Sequence, residues 1–572
     1  MLRGLFSTII LVLLTVHVFG QGDFPEPMGD KKLAKDYFNS GNYKMAMKEY
    51  DILVNKKPKN VDYNYHLGIS ALRSNVDKSK AIKHLEFVAQ QDKYDVDVLF
   101  QLGLAYHVNY RFDDAIKMFN KYLDESKGKD SLIVDLQINY CLNGKELVKY
   151  PVDVTFEKLD DKVNSEYADW GPYVSDEEDF VAFSTKRKGT SGNLMDYDGS
   201  YTSDIYYSKT KSSDNWSRAR ALSNMMSTEM PEEIVGISRN GMHVIYNADD
   251  FGMKNLMMSS KPKERSRSFP APFPLEGINT ASNEFAGTVT NDADILIFSS
   301  DREGGYGGLD LYMARKLPDG NWGKAINLGP EINSPADENY PNISGNGKVL
   351  YFASNGRKSM GGYDIFKTTF DEWTNRFNAP KNIGYPLNTT MDDYNICFTA
   401  SGRNAYISQF RRGSYGDYDI YRLTFNEVLP QFTVLRGLIL TDSTLSIFTD
   451  SLTNHTKRLE AHISKMIQDQ ADSLAIDSLR KELSKTVRQL DLYDPVTLND
   501  IKVIDRETGN VFGKYKPNEK TGRYIIILPP GSYELKIKNE GFEDYSKNLL
   551  IQDKSYYKPE IEENIHLVPK AN

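Results

Sequence analysis

The sequence predicts a multidomain chain: an α-helical solenoid over 31–148, a five-bladed β-propeller over 152–426, and a small β-sandwich with a helical insertion over 431–568. Three observations carry this reading. The 572 residues are too many for a single core. A period near 34 residues with helical spacing marks the first part, and a period of 52 to 63 residues with strand spacing marks the middle. Composition agrees, because 36 Tyr, 27 Phe and 40 Gly suit many short strands joined by tight turns. The net charge of -9, with no long basic tract, argues against bulk nucleic-acid binding.

Residues 1–20 carry one cation, Arg3, and a mainly apolar run over 5–19 that ends in Val18-Phe19-Gly20. This reads as a secretory signal peptide, since the run is short for a membrane span of about 20 residues. No cysteine stands near the cleavage point for acylation. Cleavage would release a mature chain with no transmembrane span into the periplasm, where partners could associate it with the outer membrane. Cys141 and Cys397 fall in different predicted domains and read as buried apolar residues rather than a disulfide.

In the helical part, Ala46, Ala81 and Ala115 recur in register. Each is followed by two large residues, Tyr50 and Leu53, Leu85 and Val88, and Phe119 and Tyr122. Leu67-Gly68 and Leu102-Gly103 mark the preceding helices, and glycine there lets two helices approach closely. The pattern resembles the tetratricopeptide repeat, with a helix over 132–147 capping the last apolar face. A solenoid of that kind offers a groove for a peptide or helix, and Tyr37, Tyr65 and Tyr106 are its candidate contacts. Packing between helices is the competing role for all three.

In the middle part, Ser175, Ser238, Thr290, Ser344 and Thr399 each end a short strand. Six residues earlier stand Asp169, Glu232, Glu284, Glu338 and Asp393, expected to tie neighbouring blades together by hydrogen bonds. Asp310, Asp364 and Asp419 open a later strand, and the second unit has Asn255 there, making it the degenerate copy. The strand over 152–159 is expected to complete the last blade and clasp the ring; a sixth, irregular blade is the alternative count. The segments 299–312 and 354–366, both rich in glycine before the Asp-Leu-Tyr or Asp-Ile-Phe strand, resemble the WD40-like propeller repeat of TolB and of envelope proteins carrying an OmpA-type domain. Arg187, Arg302, Arg357 and Arg411 occupy equivalent loops and are candidate contacts for an anionic ligand such as a carboxylate-rich peptide. Pairing with local acids is the competing role.

In the last part, helical spacing over 459–490, read as an insertion at about 446–492, interrupts strand patterns at 432–440 and 501–537. The run 521–533 with Gly541-Phe542 resembles the carboxypeptidase regulatory-like domain, which implies a transthyretin-type sandwich. The insertion either docks a partner or packs on itself.

No zinc-peptidase histidine pair, phosphate loop, dinucleotide fingerprint or nucleophile elbow is present, so the sequence predicts no catalytic residue, no metal, no cofactor and no enzyme. The order of domains resembles the PorE-type periplasmic proteins of type IX secretion and gliding, here without their OmpA-like domain. That resemblance implies a scaffold for envelope or secretion-system proteins. A binding module for a glycan, a peptidoglycan fragment or an anionic peptide is the second reading.

Overall fold

The computed structural model describes residues 25–570 apart from 176–177, 211–214, 251, 264–265, 267, 429–431, 441–442, 469–472, 492–499, 507, 519–521, 540–541, 552–557, 559 and 569. The predicted signal peptide lies outside the described residues. The chain is multidomain, with helices first, antiparallel sheets in the middle, and a mixed unit at the end.

Among the described residues seven helices come first: α1 Lys31–Asn39, α2 Tyr43–Lys56, α3 Val61–Arg73, α4 Lys80–Ala89, α5 Asp97–Val108, α6 Phe112–Ser126 and α7 Ser131–Leu147. Short polar residues start the first three, with Asp30, Asn42 and Asn60 accepting from Leu33, Met45 and Tyr63 N–H groups that the helix leaves unpaired. Successive helices pack as neighbours. The repeated alanines are fully buried. Gly103 is required by that packing, because a Cβ there would lie 2.5 Å from the Phe119 ring.

Among the described residues strands then form five sheets. Strand β1 Val154–Lys158 joins the last of them. The first sheet is β2 Asp169–Val174, β3 Phe180–Thr185, β4 Asp204–Lys209 and β5 Arg220–Ala221. The second is β6 Glu232–Ile237, β7 His243–Asp250, β8 Met253–Ser260 and β9 Phe273–Pro274. The third is β10 Glu284–Val289, β11 Ile295–Ser300, β12 Asp310–Arg315 and β13 Ile326–Asn327. The fourth is β14 Glu338–Ile343, β15 Val349–Ser354, β16 Asp364–Asp371, β17 Arg376–Phe377 and β18 Lys381–Asn382. The fifth is β19 Ile396–Phe398, β20 Asn404–Gln409 and β21 Asp419–Phe425, with β1 paired to β21 in the outermost place.

Strand β6 lies against β3, β10 against β6, β14 against β10, and β2 against β19 and β20. Asn342 Nδ2 on β14 donates to Ile396 O on β19 at 2.9 Å. The five sheets therefore follow one another around a circuit. Between them lie buried clusters built from alternate strand residues, such as Ile297, Leu311, Ile343, Phe352 and Phe366.

The last unit pairs β22 Thr433–Leu440 with strands on either side of it. Helices α8 Ser443–Gln468 and α9 Ser473–Asp491 follow, then β23 Ile501–Asp505, β24 Val511–Tyr515, β25 Arg523–Leu528, β26 Gly531–Ile537, β27 Tyr545–Ile551, β28 Glu560–Glu562 and β29 Ile565–His566. Two sheets, β25-β22-β28 with β29 on β22, and β24-β23-β26-β27, enclose Leu435, Val503, Ile526 and Leu535. The helical insertion packs on itself: α8 lies against α9, and Leu459, Ile463 and Ile476 are buried.

Candidate functional site

Four sheets of the circuit begin with a repeat carboxylate, the fifth, Asp393, stands in the connection just before β19, and the structure gives each the same local partners. Four residues earlier, a Ser or Thr donates its N–H and its hydroxyl to the carboxylate. These are Ser165 to Asp169, Thr228 to Glu232, Thr280 to Glu284, Ser334 to Glu338, and Thr389 to Asp393. Antiparallel register then returns the chain opposite the acid, with Glu284 facing Ser300 and Glu338 facing Ser354. Both serines donate to the carboxylate, at 3.1 and 2.7 Å.

The candidate arginines close these units. Arg302 Nη2 donates to Glu284 Oε1 at 2.8 Å and to Ile278 O at 2.9 Å, while Glu284 is fully buried. Arg187 does the same with Asp169 at 2.6 Å and Val163 O. Arg357 donates to Glu331 O and Ile332 O, with its Nε 3.9 Å from Glu338. Arg411 works through Gln409, which donates to Asp393 at 2.7 Å, and stacks over Phe156 at 3.7 Å. The four guanidinium groups are thus spent inside the circuit, where each charge offsets the cost of burying an acid or its connecting loop.

Glu232 is the exception. Position 248 opposite it is alanine and position 250 is aspartate, so neither hydroxyl nor arginine returns. Among the described residues its Oε2 has no hydrogen-bond partner, and burial pushes its pKa up from 4.5 to about 7. The folded state then keeps a proton that the unfolded state loses above its ordinary pKa. Stability from this group is full below about pH 4.5 and falls as pH rises to about 7. Glu232→Gln is expected to raise stability by about 2–3 kcal/mol at pH 8 and to change it little at pH 4.5, read by thermal unfolding at the two pH values.

The sequence reading missed an asparagine five residues before four of the acids. Asn164, Asn279, Asn333 and Asn388 each accept from and donate to the backbone of the strand residue that follows Asp419, Asn255, Asp310 and Asp364 respectively: Ile420, Leu256, Leu311 and Ile365. The amide acts as an extra piece of strand and stitches the connecting loop to the preceding sheet. Its signal was the constant spacing to the acid.

The helices are fastened to one face of the circuit. His107 Nε2 donates to Met360 O at 2.8 Å, Asn143 Nδ2 to Ser359 O at 2.9 Å, Tyr140 OH to Asn355 O, and Asn75 Nδ2 to Asp417 Oδ1 at 2.5 Å. Burial pushes His107 down to about 4, so the ring is neutral at this contact. Asp417 stands where the third and fourth sheets carry Gly308 and Gly362. There the facing acids Asp337 and Asp392 accept from Leu309 and Tyr363 N–H groups. In the fifth sheet the facing residue is Ala168, which leaves Asp417 to reach the helices. Beside it Lys78 is lowered to about 8 by burial.

A cleft of about 700 Å³ is lined by strand-end turns of the second, third, fourth and fifth sheets. Its walls include Tyr351, Phe398 and Phe425, the asparagines 291, 342 and 346, and the cations Arg239 and Lys367.

Of the candidate groove tyrosines, Tyr37 and Tyr106 lie in the helical core, and Tyr106 OH donates to Glu86 at 2.5 Å beneath Arg111. Tyr65 is half-buried and meets His66 edge-on. Both cysteines are buried free thiols. Among the described residues no group of three or more His, Cys, Asp or Glu could hold a metal, and no helix is long and apolar enough to cross a membrane.

No family model and no curated protein matches the chain. Among solved structures it is similar to TolB from Acinetobacter baumannii at 12% identity, over 51% of this chain and 70% of that one, with a TM-score of 0.29. It is also similar to a glycoside hydrolase at 9% identity, over 50% and 95%, with a TM-score of 0.34. The catalytic domain of the Coprinopsis cinerea GH62 α-L-arabinofuranosidase is similar at 10% identity, over 48% and 98%, with a TM-score of 0.32. The expectation that the chain is no enzyme is corrected here: enzymes stand among these neighbours, so the architecture does not exclude catalysis. At such identities and scores the likenesses assign no activity.

Proposed function

We propose that the chain is an exported scaffold whose tetratricopeptide-type solenoid, five-bladed WD40-like propeller and regulatory-like sandwich hold together proteins of a bacterial cell envelope. The type IX secretion and gliding machinery is the assembly its domain order favours. The observation that carries this reading is the junction between helices and circuit. Polar contacts, those of His107, Asn143, Tyr140 and Asn75 among them, fasten the first two units together. A preorganised body loses little conformational freedom when partners dock on its separate surfaces. The arginine-closed acids support the same reading, since they stiffen the loops between sheets rather than offer reactive groups.

Crosslinking in intact cells, followed by capture of the chain and identification of what comes with it, tests the proposal. The same few envelope proteins are expected in repeated captures, with the chain itself in the periplasmic fraction. Recovery of no envelope protein, or a cytoplasmic chain, overturns it.

A further inference from the structure

The 700 Å³ cleft has a chemistry unlike the rest of this acidic chain. Arg239 and Lys367 line it, and neither Asp nor Glu does. Arg239 is almost fully buried, its Nη1 2.9 Å from Cys397 Sγ, so its position is fixed. Lys367 is exposed and lies 5.7 Å from the centre of the Tyr351 ring.

Beside these cations the lining is aromatic. Tyr351 stacks on Phe398 at 5.0 Å and 24°, and Phe398 stacks on Phe425 at 5.2 Å and 27°. Both faces of Phe398 are covered by its neighbours, so this ring offers its edge, with Ile383 and Leu387 beside it. A sugar ring needs a free aromatic face to stack on, whereas an aliphatic side chain packs against edges. The volume falls within the range of about 300–1,000 Å³ that holds a small ligand or a few residues of peptide.

We propose that this cleft binds an extended peptide segment in which carboxylate side chains alternate with branched aliphatic ones. The carboxylates meet Arg239 and Lys367, and the aliphatic groups fill the space against Phe398, Ile383 and Leu387. This deepens the scaffold reading by naming a partner's chemistry, yet it rests on the cleft alone.

The test uses the mature chain and a fluorescein-labelled peptide, Gly-Leu-Glu-Leu-Glu-Leu-Glu, followed by fluorescence anisotropy. Its Gln-substituted analogue and oligogalacturonate serve as competitors. Binding with Kd below about 100 μM is expected, with the Gln analogue at least about tenfold weaker. Lys367→Glu and, at the exposed rim, Ala400→Glu should each weaken binding by about tenfold or more while leaving the thermal transition unchanged. Equal binding of both peptides, no binding at about 1 mM, or variants that bind like the parent overturn the proposal. Stronger competition by oligogalacturonate than by unlabelled peptide also overturns it, in favour of an acidic glycan. Crosslinking that recovers envelope proteins while the peptide fails to bind sinks this inference and leaves the scaffold reading standing; the reverse result separates them the other way.

Discussion

Arg302→Met is expected to lower stability by about 3–5 kcal/mol, because it leaves a buried carboxylate without its counter-charge. Glu284 is fully buried, and Arg302 meets it at 2.8 Å while also holding Ile278 O in the loop that enters the third sheet. The guanidinium sits over Phe298 and Tyr312, at 4.7 and 5.0 Å from their ring centres, so its stem and plane are packed as well as charged. The double variant Glu284→Gln with Arg302→Met should recover at least half of the loss, since a neutral amide can still accept from Thr280 and Ser300. Thermal or urea unfolding at pH 8 measures both. A loss below about 1 kcal/mol in the single variant would show that the pair is not a clamp.

Gly361→Ala is expected to cost about 3 kcal/mol or more, through backbone collision rather than lost contact. A Cβ at this position would lie 2.3 Å from Thr390 C and 2.5 Å from its Cα and O. These are main-chain atoms of the connection into the fifth sheet, which cannot swing aside as the end of a side chain can. The same approach recurs at Gly307 against Ala336 O and at Gly416 against Glu166 O, 1.9 and 1.8 Å from the added atom. Displacing this loop also moves Ser359 O and Met360 O, the acceptors of Asn143 and His107. Hydrogen exchange should therefore rise in α5 and α7 of Gly361→Ala as well as in the fifth sheet. Lys358→Ala, exposed in the same loop, should change neither.

The repeats were legible because four of the five sheets solve one local problem with the same kinds of residue at the same spacing, and the second, with Ala248 opposite Glu232, keeps only the Thr before the acid. A Ser or Thr before an acid, and a hydroxyl or amide sixteen residues after it, recur wherever the backbone makes the same turn. The destination of the arginines was not legible. Eighteen residues separate Arg302 from Glu284, and only the antiparallel register that puts Ser300 opposite Glu284 brings them together. Read along the chain, the same arginines looked available to a ligand. Tyr37 and Tyr106 show the same ambiguity: helical spacing gives their face but not which neighbour covers it.

The sequence by itself determined the units and their periods, because hydrophobic spacing, turn residues and close-packing glycines act within a few tens of residues. Tertiary structure alone decided which charges are consumed and which are offered. Asp417 reaches Asn75 across 342 positions, and the 700 Å³ cleft gathers lining residues from 152 to 428. Charge pairing and burial depend on distance in space, and that distance is set only once the sheets have closed on one another.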